Sequence, residues 1–249
     1  MIMIQGFNDK YHLKTKRLLG EAGAAKVEEN KGKLDEIKAL TAGYSLDHIF
    51  NADETGLFYR SLPNLSVTLA QETARGGKKE KERVTAVLCS NASGSCKISI
   101  TIIGKAAEPY AFRNCGRLPV VYESQKKAWM DIPLFNRFID NFKVEVRKKN
   151  PDQQILLLCD NAPAHARIDD NDGFKIVFFP PNVTSVHQPM DRGIIAAVKK
   201  RYRYKMLHAL LDVASNPQSA PTKPSLGTAG IQQGKAPNLK EACDTLAQV

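Results

Sequence analysis

The stretch Ile155-Leu156-Leu157-Leu158-Cys159-Asp160-Asn161-Ala162-Pro163-Ala164-His165 decides the fold. Five apolar residues in a row are the pattern of a strand covered on both faces, and so of a central strand in a sheet with helices on either side. The run stops on an aspartate followed by turn-forming residues, which puts Asp160 at the strand's end. Further on, Phe174–Phe179 is a second apolar run, stopped by Pro180-Pro181. Gln188-Pro189 then opens a helix expected to reach about Leu211, with Pro189 suited to its first turn. On the other side, Pro133 to about Lys149 carries Leu134, Phe135, Phe138, Ile139, Phe142 and Val146 at spacings of three and four, one buried helical stripe. Before it, Arg83–Ser90 and Lys97–Ile103 are β-branched runs separated by Asn91-Ala92-Ser93-Gly94-Ser95, the composition of a hairpin. His48–Asp53 is a short strand that closes on another aspartate. A helix between hairpin and apolar strand implies a right-handed crossover and a parallel pairing.

This order predicts an α/β fold, an RNase H-like mixed sheet with flanking helices and an antiparallel hairpin at one edge. Asp53 and Asp160 then close neighbouring strands, and Asp191 falls in the first turn of the Gln188–Leu211 helix. Alone, each has an ordinary explanation: a turn or cap for the first two, complementarity to the helix dipole for the third. Residues 191, 195, 198 and 202, however, follow steps of four, three and four, which puts Asp191 on the face that packs on the sheet. Three carboxylates converging at one sheet edge repel unless cations lie between them, and hard oxygen ligands suit magnesium or manganese. Two such ions about 3.5–4 Å apart can activate an attacking water or 3′-hydroxyl and stabilise the leaving oxygen of a phosphodiester. Glu54 is the rival ligand; adjacent strand residues face opposite sides, so only one of Asp53 and Glu54 can face the ions.

The chain has 249 residues, 43% of them hydrophobic, enough for one substantial core with appendages. Its net charge of +10 favours polyanionic partners. No run of 18 or more apolar residues exists, so no membrane span is expected, and the opening MIMIQGFNDK turns polar too soon for a signal peptide. Five scattered cysteines without a C-x-x-C pair fit free thiols in a reducing compartment and no zinc module. Lys78, Lys79, Lys199, Lys200, Arg201 and Arg203 stand in two basic clusters. Each alone is a solvated side chain or part of a nuclear-localisation run; as a set they suit DNA phosphates. Trp129 reads as a packing residue.

The sequence resembles the DDE endonuclease domain of the pogo/Tigger/Jerky branch of the mariner-like transposases, a group that includes centromere protein B. The matching stretches are NADETGLFYRSLPN (51–64), KERVTAVLCSNASGSCKISITIIGKA (81–106), KKAWMDIPLF (126–135), LLLCDNAPAH (156–165) and FFPPNVTSVHQPMDRGIIAAVKKRY (178–202). The resemblance implies that Asp53, Asp160 and Asp191 are the catalytic metal ligands, holding two Mg2+ or Mn2+ ions. Thirty residues separate the last two, similar to the pogo-type pattern with Asp in third place. Asn161 and His165 would order the site or touch phosphate. The implied function is a transposase-type DNA endonuclease and strand-transferase, nuclear, with DNA as partner and a homo-oligomer in the DNA complex. The alternative is a domesticated, non-cleaving nuclear DNA-binding protein on the same fold. The expected organisation is a helical linker with the remnant of a helix-turn-helix module (1–43, the remnant at 7–25), the catalytic domain (44–211), and a disordered linker with a truncated C-terminal helix (212–249).

Overall fold

A computed structural model describes residues 29–61, 82–165, 172–181, 188–215 and 236–249. The helix-turn-helix remnant, Lys78, Lys79 and most of the 212–238 linker lie outside these residues. The elements are α1 (Lys31–Thr41), β1 (Ile49–Leu57), β2 (Val84–Asn91), β3 (Thr101–Gly104), β4 (Val121–Ser124), α2 (Ile132–Lys149), β5 (Ile155–Cys159), β6 (Phe174–Phe178), α3 (Ile194–Ser215) and α4 (Leu239–Leu246). All six strands join one mixed sheet in the order β4-β3-β2-β1-β5-β6. β2 runs antiparallel to both β1 and β3. The pairs β1/β5, β5/β6 and β3/β4 are parallel. This is the RNase H-like α/β architecture with helices flanking the sheet.

Side-chain alternation divides the core into layers. Phe50 and Ala52 of β1 and Ile155, Leu157 and Cys159 of β5 face α2. Ile49, Leu156 and Leu158 face the other way, under Leu34 of α1. All five residues of β5 are buried, as a doubly covered strand requires. Asp131 caps α2 by accepting from the Leu134 N–H at 3.0 Å, and Arg147, Lys148 and Lys149 complement the dipole in its last turn. The six apolar residues of its stripe are all buried, together a gross stabilisation on the order of 10 kcal/mol.

Four features differ from expectation. β1 does not close at Asp53: it continues to Leu57 because β2 pairs with it throughout, Asp53 opposite Leu88. The hairpin is not at the edge, because β4 pairs with β3 outside it. The last long helix starts at Ile194 and not at Gln188: Met190–Arg192 form a separate 3-10 turn, and Gly193, at φ 130, breaks the path between them. Finally, the flanking segments pack on the sheet. Leu34 of α1 is buried against it, and Ala242, Cys243 and Leu246 of α4 are buried with Tyr202 and Met206 of α3. Helix α4 is closed by a capping box of Asn238 and Glu241. No described helix is long and apolar enough to cross a membrane.

Candidate active site

The parallel pairing of β1 and β5 ends at Asn51 opposite Leu158. Asp53 lies two residues beyond that point on β1 and Asp160 is the first residue past β5, near enough for the Asp160 charge to act on Asp53. Asp53 is buried on the face opposite α2, and its Oδ1 accepts from the Glu54 N–H at 2.8 Å. Asp191 approaches from the 3-10 turn, which is tied to β1 by the hydrogen bond from Met190 N–H to Asn51 Oδ1 at 3.0 Å. It is exposed in that turn and is not on the buried face of α3; Ile195 and Tyr202 are buried there and Val198 is half-buried. The break at Gly193 takes Asp191 out of the helical phase that the sequence suggested.

The three aspartates are electrostatically coupled. Burial, then the charges of Asp191, Glu54 and Asp160, push the Asp53 carboxyl up to about 7. Asp191, though exposed as a residue, is also raised, by partial desolvation of its carboxyl and by Asp160, with Lys199 acting against them. Such a set of hard oxygen donors, each disfavouring its neighbours' charge, fits divalent cations.

His165 builds a second constellation on the α2 face. Its ring stacks on Phe135, centroids 4.3 Å apart. Nε2 meets Glu54 Oε1 at 2.9 Å, and Nδ1 lies 2.9 Å from both the main-chain oxygen and Oδ1 of Asp160. One Nδ1–H cannot serve both oxygens in line; among the described residues, buried Asp160 Oδ1 accepts no well-directed hydrogen bond. Burial pulls the imidazole pKa down, but the Asp160 and Glu54 carboxylates outweigh it and push it up to about 10. Among the described residues, Glu54, Asp160 and His165 are the group whose ligand atoms lie within 4.8 Å of one another; the three aspartates do not come together within that distance. With both ring nitrogens engaged and the ring stacked, His165 is arranged to hold the two carboxylates. Asn161 is exposed.

The four basic residues of α3 expected to meet DNA divide. At about 100° per residue, Lys199 and Arg203 share one flank of the buried stripe and Arg201 the other. Lys199 sits within the field of Asp191 and Asp53. Arg201 turns to the carbonyl of Val249 at 3.3 Å, and Lys200 is exposed. Trp129, expected in the core, is 59% exposed, with the Arg83 guanidinium 4.9 Å above its ring. The Glu54–His165 pairing and the buried amides of Asn51 and Gln188 were missed from sequence. The sequence presents Glu54 only as a rival metal ligand, and it marks the amides only by their place two or three residues before Asp53 and Asp191.

Three comparisons bear on this arrangement. The chain is 32% identical over 255 residues to Tigger transposable element-derived protein 7 of Homo sapiens, covering 95% of this chain and 46% of that protein. It is 33% identical to the human Jerky protein homolog, covering 71% and 35%, and 28% identical to human Major centromere autoantigen B, covering 71% and 28%. It spans less than half the length of these curated relatives. Among solved structures, the Mos1 mariner paired end complex with Mn superposes with a TM-score of 0.51 at 14% identity, covering 98% of this chain and 68% of that one. A pre-cleavage Mos1 transpososome gives 0.50 at 15%, covering 94% and 66%. These likenesses share the fold. Residues 81–248, which run from β2 through Asp160 and Asp191 to the end of α4, match the family model described as DDE superfamily endonuclease, and the chain belongs to that family.

Proposed function

We propose that this chain is the catalytic part of a nuclear, transposase-type DNA endonuclease and strand-transferase, with Asp53, Asp160 and Asp191 as ligands of two Mg2+ or Mn2+ ions. The observation that carries the reading is the crowding of buried Asp53 by the charges of Asp191, Glu54 and Asp160, a repulsion that cations relieve. The family membership, the Tigger and Jerky relatives and the net charge of +10 support it.

When bound, the ions supply Lewis acidity to the nucleophile and leaving oxygen of a phosphodiester. The chain's own residues do the rest. Asp53 and Asp160 offer oxygens from neighbouring strands, and Asp191 offers them from its turn. His165 fixes Asp160 and holds Glu54 on the opposite face. Lys199 and Arg203 flank the carboxylates and suit the phosphates on either side of the cut. A homo-oligomer on DNA is part of the proposal.

The test is incubation with a nicked or hairpin DNA and manganese, the ion named with the Mos1 mariner paired end complex. Wild type is expected to cut, and Asp160→Ala to fall to background. No cutting by wild type, or equal cutting by Asp160→Ala, overturns the reading. The relationship to a centromere autoantigen favours one alternative, a domesticated protein that binds DNA without cutting it. Metal titration separates them: two divalent sites removed by Asp53→Ala mark the nuclease, whereas DNA binding indifferent to metal marks the scaffold.

A further inference from the structure

Two carboxamide side chains meet where β1 and β5 part. Asn51 Nδ2 donates both to the Leu158 carbonyl at 2.8 Å and to Gln188 Oε1 at 2.9 Å. Asn51 Oδ1 accepts from the Met190 N–H at 3.0 Å. Gln188 Nε2 donates to the Ala52 carbonyl at 2.9 Å. Asn51 is 7% exposed and Gln188 not at all. The parallel ladder stops at Asn51 and Leu158, and the amides take up main-chain groups there that would otherwise be buried without partners.

The partners lie close to the carboxylates. Asn51 stands two residues before Asp53 on the same strand and face. Leu158 stands two residues before Asp160. Met190 immediately precedes Asp191. One amide pair therefore fastens each segment that carries a triad aspartate to the other two. We propose that Asn51 and Gln188 are positioning residues, an amide clamp that sets the separation of the three aspartates; this rests on the two-cation reading above.

The physical case is one of tolerance. A pair of cations about 3.5–4 Å apart demands ligands fixed within about 0.5 Å. Asp53 sits within β1 and Asp160 directly follows β5, but Asp191 is in a short turn whose helix begins only after Gly193. Met190 packs that turn on Leu88 of β2, and the clamp adds the directed hydrogen bonds that fix it against β1. Each of its amide nitrogens and oxygens has a partner, so loss of one member leaves buried donors or acceptors unpaired and frees the turn to shift.

The experiment is Mn2+ titration of the folded chain, followed by calorimetry and electron paramagnetic resonance, on wild type, Asn51→Leu, Gln188→Met and Asp53→Ala. Ile139→Ala, in the core beneath α2, is the control for lost stability alone. Wild type is expected to show the spectrum of a coupled manganese pair. Gln188→Met and Asn51→Leu should keep a single-ion signal while the second ion binds about tenfold more weakly or worse; Ile139→Ala should keep the pair. Wild-type pairing and affinity in both clamp variants, or equal loss in Ile139→Ala, overturns the clamp and leaves the two-cation reading standing. No coupled pair in wild type removes that reading and the clamp with it. Should Asn51→Leu fail to fold, Gln188→Met decides, because it removes only one side chain at the edge of the turn.

Discussion

Burial and the charges of Asp191, Glu54 and Asp160 hold the Asp53 carboxyl at about 7, against an ordinary 3.8. Below about 4 the group is protonated both folded and unfolded, and costs nothing. Between 4 and 7 the unfolded chain releases the proton and the folded one keeps it, so stability falls as pH rises; above 7 the full penalty is present. Asp53→Asn keeps the oxygen that accepts from the Glu54 N–H and removes the charge. In chelator, its thermal midpoint should therefore exceed that of wild type at pH 8, by an amount corresponding to about 1–3 kcal/mol, and match it near pH 4. Magnesium should stabilise wild type at pH 8 and do much less for the variant. A variant that is less stable at pH 8 would mean that the carboxylate is satisfied by the protein itself. His165 gives the same lesson in reverse: two carboxylates outweigh its burial and keep a cation within a carboxylate cluster.

At the level of elements, the segment around Gly193 separates what the sequence makes legible from what it does not. β5, α2 and the β2/β3 hairpin could be read directly because each carries its own signal, an unbroken apolar run, a stripe at helical spacing, and a turn between β-branched runs. Asp53 and Asp160 could be placed at neighbouring strands for the same reason. The 3-10 turn could not, since Gln188-Pro189 followed by Ile195, Val198 and Tyr202 is a valid helical pattern; the break at Gly193 and the hydrogen bond of the Met190 N–H to Asn51 together stop the helix short. β4 escaped notice because four half-buried residues acquire strand character only by pairing with β3. Trp129 stands exposed because Ala128 before it adopts φ 53 and buries itself. Gly193 itself is open to test. A methyl there meets no atom within 4 Å, so the cost of Gly193→Ala is wholly that of φ 130. The variant should lose about 1–3 kcal/mol in denaturant unfolding, or relax into a continuous helix that carries Asp191 away from Asp53 and weakens metal binding. Unchanged stability together with unchanged metal affinity would show that the break does not set the position of Asp191.

Across the whole molecule, the net charge of +10 acts through where the cations stand and not through their number. One side of the sheet is closed by α2; on the other, α1, α3 and α4 leave the Asp53, Asp160 and Asp191 edge beside α3. Lys199 and Arg203 lie on the flank of α3 nearer that edge, whereas Arg201 is turned to Val249 and Lys205 to Gln248. If DNA lies across the carboxylates, the two flanks must differ in their response to salt. Each phosphate contact contributes about 0.9 to the slope of log K against log salt on duplex DNA. Arg203→Ala should lower that slope by about one and weaken binding evenly across sequences, and Lys199→Ala should do the same. Arg201→Ala, on the far flank, should leave the slope where it was. Fluorescence anisotropy of a labelled duplex over a series of potassium chloride concentrations reads all three. Equal slopes for Arg203→Ala and wild type, or a loss confined to Arg201→Ala, would move the DNA path to the opposite side of α3, away from the carboxylates.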